Sequence, residues 1–293
     1  MRLALLGFGL IGGSVARALR RRPAAGDFVA DEIVAWSPSG AGPAMARRDD
    51  VIDTAAATPQ AAIDGADIVV LAGPPNVVLD ELDELAGPWR KQLAADAVIT
   101  DVASTKAAIV ERAAAHGLRF VGGHPMAGRE TSGYPASTAD LFVDRPWVIV
   151  PTDDPAAVEL VQSLAAATGA APRRMSAADH DAAVAAVSHL PLVVAAALVE
   201  AVAGDASGPR QDWPEAAGLA ATGWRDMTRL ARGDVTMGVG IAATNGAQVA
   251  ARVRDLIAVL EGWAADLEQG TAIDADAIAE RLRVARDRLE GSA

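Results

Sequence analysis

Along the first half of the chain, short apolar runs at 2–6, 32–36, 68–72, 97–101, 119–122 and 147–151 alternate with stretches of helical spacing. This alternation predicts a parallel sheet with helices on its faces. A helical pattern over 155–168 is followed by 171–175, a candidate last short strand. From Ser176 the pattern changes to long Ala/Leu/Val-rich helices with charged faces, ending in an amphipathic run over 274–289. The predicted organisation is thus an α/β domain over 1–175 and an all-α domain over 176–293. Residues 203–213, with Gly204, Gly208 and Pro209 and little periodicity, read as a loop. Residues 182–203 are nearly free of charge until Glu200, but Ser188, His189 and Pro191 interrupt them and much of the rest is alanine. They predict a helix buried in a helical core or a subunit interface rather than a membrane span.

Composition narrows the function classes. The formal charge of −12, with no basic run, argues against nucleic acid and anionic membrane surfaces. The expected partners are a small molecule and a second copy of the chain. No cysteine is present, which excludes disulfides, thiolate nucleophiles and cysteine-ligated zinc. The histidines, His116, His124, His180 and His189, have no metal-ligand spacing, so no metal is expected. Glycines break the first apolar run too soon for a signal peptide, and a cytoplasmic location is expected.

The first strand runs directly into Gly7-Phe8-Gly9-Leu10-Ile11-Gly12-Gly13-Ser14, a GxGxxG loop that opens a helical pattern. In such a loop the first glycine permits the tight turn, the second lets the backbone approach a pyrophosphate, and the third lets helix and strand pack closely. The anion then meets free N–H groups at a helix N-terminus. This context makes the first domain a Rossmann-type dinucleotide-binding domain; a glycine-rich turn that binds nothing is the alternative. After the second strand, where an acidic residue often holds the ribose 2′-OH, the chain reads Trp36-Ser37-Pro38-Ser39. With Ser37 and Ser39 there and Arg47 and Arg48 further on, the cofactor reading is NAD or NADP, leaning toward NADP.

In open α/β sheets ligands bind at the carboxyl ends of the strands. The fourth strand leads into Asp101-Val102-Ala103-Ser104-Thr105-Lys106, and Lys106 is one of two lysines against twenty-four arginines. Either Ser104 and Lys106 face a reactive centre, or Ser104 caps the helix over 107–115 and Lys106 is solvated in its first turn. After the fifth strand comes Gly122-Gly123-His124-Pro125-Met126-Ala127-Gly128-Arg129-Glu130. His124, flanked by glycine and proline and expected on a loop, is the best general-base candidate, because a neutral imidazole accepts protons near neutral pH. In the second half Arg225 and Arg229 lie one helical turn apart, with Arg232 near the same stripe. They form either a carboxylate clamp or a solvated face.

Taken in order, the glycine loop, Asp101 to Lys106, Gly122 to Gly128, Ser188-His189-Leu190-Pro191 and Arg225-Asp226-Met227-Thr228-Arg229 resemble the prephenate and arogenate dehydrogenases of tyrosine biosynthesis. The resemblance implies a Rossmann domain followed by a helical domain through which relatives dimerise. It implies oxidative decarboxylation of a dianionic cyclohexadienol, with hydride passing to the nicotinamide while a base removes the 4-hydroxyl proton. By the same resemblance His124 is that base and Ser104 hydrogen-bonds the reacting hydroxyl or the nicotinamide. Arg229 binds a substrate carboxylate, with Arg225, Lys106 and His189 as further pocket groups and Glu130 as an acidic partner able to gate the pocket. Any regulation by tyrosine is expected at the active site itself.

Two positions depart from the family pattern. Leu192 stands where many bacterial relatives have a second histidine, and Gly238 where a tryptophan is common. Both concern the substrate side chain, so prephenate, arogenate and the 4-amino-4-deoxy analogue stay open. Two rival readings are a 3-hydroxyacid dehydrogenase or imine reductase, and a non-catalytic dinucleotide sensor.

Overall fold

The computed structural model describes residues 1–21, 28–129, 131–269 and 273–291. In chain order it runs β1 (Arg2–Leu6), α1 (Leu10–Arg21), β2 (Glu32–Trp36), α2 (Ala41–Arg48), β3 (Thr54–Ala55), α3 (Pro59–Ile63), β4 (Ile68–Leu71) and α4 (Pro75–Ala86). Then follow β5 (Val98–Asp101), α5 (Ala107–Ala115), β6 (Phe120–Val121), β7 (Gly123–Pro125), β8 (Pro146–Ile149), α6 (Pro155–Ala167) and β9 (Ala171–Arg174). The remainder is α7 (Ala177–Val184), α8 (Leu190–Ala203), β10 (Gly204–Asp205), β11 (Gly208–Pro209), α9 (Trp213–Gly218), α10 (Thr222–Thr228), α11 (Val235–Leu267) and α12 (Ala275–Glu290).

Strands β3-β2-β1-β4-β5-β6 pair in that order, all in parallel. Because successive side chains on a strand point to opposite faces, each strand feeds two cores. Leu3, Leu5, Ile33 and Val70 join Val15 of α1 and Val161 of α6 on one face. Ala4, Leu6, Val69 and Ile99 join Leu82 of α4 and Ile109 of α5 on the other. Full burial of each such aliphatic side chain contributes roughly 1.5–3 kcal/mol. The strand order reverses between β1 and β4, which opens a crevice at their carboxyl ends.

Two details differ from the sequence expectation. Residues 147–151 do not extend the main sheet. The chain leaves that sheet after β6 because the Gly123 N–H donates to the Asp101 carboxylate at 3.0 Å instead of to a strand. A second sheet, β7-β8-β9, results, with β7 antiparallel to β8 and β8 parallel to β9. The expected loop over 203–213 contains a short antiparallel hairpin, β10 with β11. Gly204 (φ 118°) and Gly208 (φ 129°) supply the positive backbone angles it needs.

The described chain separates into two compact units, Met1–Gln248 and the remainder from Val249. In the second unit Asp274 caps α12 by accepting from the N–H groups of Asp276 and Ala277. There Arg281 pairs with Asp266 and stacks 4.1 Å above the Trp263 ring. In the first unit, α7, a five-residue π turn (Ala185–His189) and α8 form one helical stretch, Ala177–Ala203. By length and composition it is the one helix among the described residues able to cross a membrane. Val184, Ala185 and His189 are buried but only Ala195 of α8 is, so among the described residues the expected burial in a helical core is met at the start of 182–203 and not along α8.

Candidate active site

The three glycines of the first loop play distinct parts. Gly7 has φ 87°, and a Cβ there would stand 2.7 Å from the Ala72 backbone; one on Gly12 would stand 2.4 Å from the Gly7 carbonyl. A Cβ on Gly9 would meet nothing within 4 Å, so the space above Gly9 is open at the start of α1. This arrangement fits the pyrophosphate of a dinucleotide, held by N–H groups at the helix N-terminus. A cavity of about 780 Å³ extends from here, lined by Gly7, Phe8, Gly9, Trp36, Ser37 and Ser39 among others. Leu10 and Ile11 do not line it; their side chains pack against the sheet core, leaving only their backbone to face an anion. The cavity wall carries the carboxylates Asp80, Glu81, Glu84 and Asp234 and, among the described residues, no lysine or arginine. Arg47 pairs with Asp50 at 3.7 Å instead, so neither it nor Arg48 supports the lean toward a 2′-phosphate.

Lys106 meets neither sequence expectation. It is fully buried, its ammonium paired with Asp101 and donating to the Gly123 carbonyl at 2.7 Å. It is therefore neither solvated nor turned to a solute. Burial pushes the ammonium down and the Asp101 carboxyl up from their ordinary values, while their contact opposes both shifts. Ser104 does not cap α5. The Asp181 carboxylate of α7 does so, accepting from the N–H groups of Lys106 at 2.7 Å and Ala107 at 2.8 Å. The Ser104 hydroxyl, half-buried, lies 3.8 Å from the Met237 sulfur.

His124 lies on β7, opposite Val148, and not on a loop as expected. Its Nδ1 is 2.8 Å from Nε2 of His180, whose Nδ1 is 2.8 Å from Oδ1 of Asp181. Burial alone would raise the Asp181 carboxyl, but the His180 hydrogen bond and the N–H groups of Ala107 and Lys106 outweigh it and hold it below the usual value. An ionised carboxylate only accepts, so His180 carries its proton on Nδ1 and accepts at Nε2. His124 then carries its proton on Nδ1, which leaves a lone pair on its Nε2. Burial, then the nearby His180, Lys106 and His189, hold the His124 imidazole well below its ordinary value and therefore neutral. His180 and Asp181 were absent from the sequence-derived site.

His189 is brought into the same region by the π turn. It is buried, with Nδ1 3.3 Å from the Asn245 amide, which also donates to the Asp181 carbonyl at 2.9 Å. A break in α11 at Asn245 (φ −133°) gives that side chain its position. Burial lowers the His189 imidazole to about 4, and its buried Nε2 turns to the Ser104 backbone. Arg225 and Arg229 are exposed. They do not share one helical stripe, because α10 ends at Thr228 (φ −100°, ψ 0°) and Arg229 opens a 3-10 turn, Arg229–Arg232, packed on α8. Glu130 lies outside the described residues. The two departures from the family pattern meet in space: a Cβ on Gly238 would stand 3.9 Å from Leu192.

A doubly wound sheet with an open glycine loop at its switch point, and a neutral half-buried imidazole braced by a carboxylate, defines a nucleotide-dependent oxidoreductase. Residues 15–172 match the family model "Prephenate dehydrogenase, nucleotide-binding domain", and residues 176–283 match "Prephenate dehydrogenase, dimerization domain". The prephenate dehydrogenase of Bacillus subtilis (strain 168) is 31% identical over 99% of this chain and 75% of its own length. Among solved structures, an A. aeolicus prephenate dehydrogenase in complex with hydroxyphenyl propionate and NAD+ aligns with a TM-score of 0.82 at 25% identity, covering 99% of this chain and 98% of that one. A Synechocystis arogenate dehydrogenase aligns at 0.75 and 30% identity, covering 99% and 100%. The chain belongs to the prephenate dehydrogenase family. Its match over both halves decides against the 3-hydroxyacid dehydrogenase and imine reductase reading.

Proposed function

We propose that this chain oxidatively decarboxylates prephenate, with NAD as hydride acceptor and His124 as the base. The observation that carries the reading is the His124–His180–Asp181 chain, which leaves a neutral Nε2 lone pair on His124. A nicotinamide dinucleotide in the crevice supplies the hydride acceptor. His124 Nε2 takes the 4-hydroxyl proton as C4 is oxidised, and the ring carboxylate departs as carbon dioxide. The positive charge that forms on His124 spreads toward His180 and is offset by Asp181. Ser104 hydrogen-bonds the reacting hydroxyl or the nicotinamide, and His189, buried against the Ser104 backbone, is a further pocket group beside it. Arg229 binds a substrate carboxylate, with Arg225 nearby in sequence. Lys106 acts as a positioning residue, holding the Gly123 carbonyl beside His124.

The charged groups that line the cavity among the described residues, Asp80, Glu84 and Asp234, are all carboxylates, which favours NAD over NADP because a 2′-phosphate would meet like charge there and no cation. We place the boundary between nucleotide-binding and helical parts near residue 175. The helical part forms a homodimer, which would cover the apolar α8 that is largely unburied in one chain. The test is reduced-nicotinamide formation with prephenate or arogenate, each with NAD and NADP. Prephenate with NAD should give the highest kcat/KM. Preference for arogenate would move the assignment to the amino-acid side chain, and preference for NADP would overturn the cofactor reading.

A further inference from the structure

One buried ionisable group in the cavity has no part in the chemistry above. Glu81, on α4, is 6% exposed and lines the cavity, yet its Oε2 is buried without a hydrogen-bond partner. A carboxyl left unsatisfied in this way costs stability that a ligand can restore. Trp36, at the end of β2, and Trp89 line the same cavity, while Ser104 and His124 do not. In this fold the segment after β2 belongs to the adenosine half of the dinucleotide. Glu81 therefore shares its walls with two flat indoles on the base side and not with the reacting ring.

We propose that Glu81 reads the adenine base, its carboxyl group accepting from the exocyclic amino group and donating its own proton to N7 of the ring. The inference rests on the dinucleotide reading and deepens it. A neutral carboxylic acid presents a donor and an acceptor side by side, the pattern that asparagine and glutamine use against the adenine edge. Burial, reinforced by Asp80, raises the Glu81 carboxyl to about 8, so the proton needed for donation is present at neutral pH. Replacing the amino group of the base by a carbonyl leaves two acceptors, O6 and N7, facing a carboxyl group that has a single donor.

The test compares NAD with nicotinamide hypoxanthine dinucleotide, using the dissociation constant of each from titration calorimetry without substrate. The wild-type protein should bind NAD about tenfold or more tightly than the hypoxanthine analogue. Glu81→Met should bring the two within about twofold, chiefly by weakening NAD, while Glu81→Gln, which still offers a donor and an acceptor, should keep most of the difference. Equal binding of the two by the wild-type protein, or an unchanged ratio in Glu81→Met, overturns the role of Glu81 alone. Failure of the wild-type protein to bind either dinucleotide overturns it together with the cofactor reading. If Glu81→Met does not fold, the wild-type ratio and Glu81→Gln decide the question.

Discussion

At the scale of the residue, Lys106 shows what rarity in a composition can and cannot reveal. One of two lysines at a strand end marked a special position, but nothing in the spacing said that its ammonium would be fully buried against Asp101. Removing one partner of such a pair strands the other charge, so Lys106→Met should lower unfolding stability by about 3–5 kcal/mol in urea titrations. A loss below about 1 kcal/mol would mean that the pair braces nothing. His189 gives a second test. Its imidazole titrates near 4 when folded and near 6.5 when unfolded, so it is neutral in both states above that range. As pH falls below about 6.5 the unfolded chain binds a proton that the folded chain refuses, and stability falls with pH until about 4. His189→Gln should flatten that part of the stability profile; an unchanged slope would assign it to other groups. Ser104 and His124 were legible because each follows a strand end. The His180–Asp181 pair was not singled out, although three adjacent ionisable residues, Asp179 to Asp181, in an alanine-rich helix were the signal available.

At the scale of the element, the site depends on α7. One carboxylate on this helix caps α5 and orients His180, so helix packing and the proposed proton transfer share a single group. Asp181→Asn presents an amide that can donate to His180 and so reverse the tautomers along the chain. It should lower kcat by roughly 10²–10⁴-fold with little change in KM for prephenate. A rise in KM with kcat preserved would show that Asp181 serves binding and not the proton. The strands β1, β2, β4 and β5 were legible because a parallel strand buried on both faces reads as an unbroken apolar run. β7 was not, since three residues, Gly-His-Pro, become a strand only by pairing with β8, distant in sequence. The π turn that buries His189 leaves no mark in hydrophobic periodicity either.

At the scale of the whole molecule, the order of segments carried more information than any one of them. A glycine loop alone implies a nucleotide; the glycine loop, the Gly-His-Pro segment and the Ser-His-Leu-Pro segment in sequence implied the family, to which both halves of the chain belong. The cofactor was legible only as a nicotinamide dinucleotide: Arg47 and Arg48 do not line the cavity, and the carboxylates that do come from α4 and from Asp234. The central claim is that a neutral His124, braced by His180 and Asp181, removes the substrate proton. The most direct measurement is reduced-nicotinamide formation from prephenate and NAD by wild-type protein and His124→Asn, alongside the NAD dissociation constant of each. Turnover by the wild-type protein and a loss of at least about 10²-fold in the variant, with NAD binding unchanged, is the predicted result. Near-normal turnover by His124→Asn, or none by wild-type protein that binds NAD, would contradict the account.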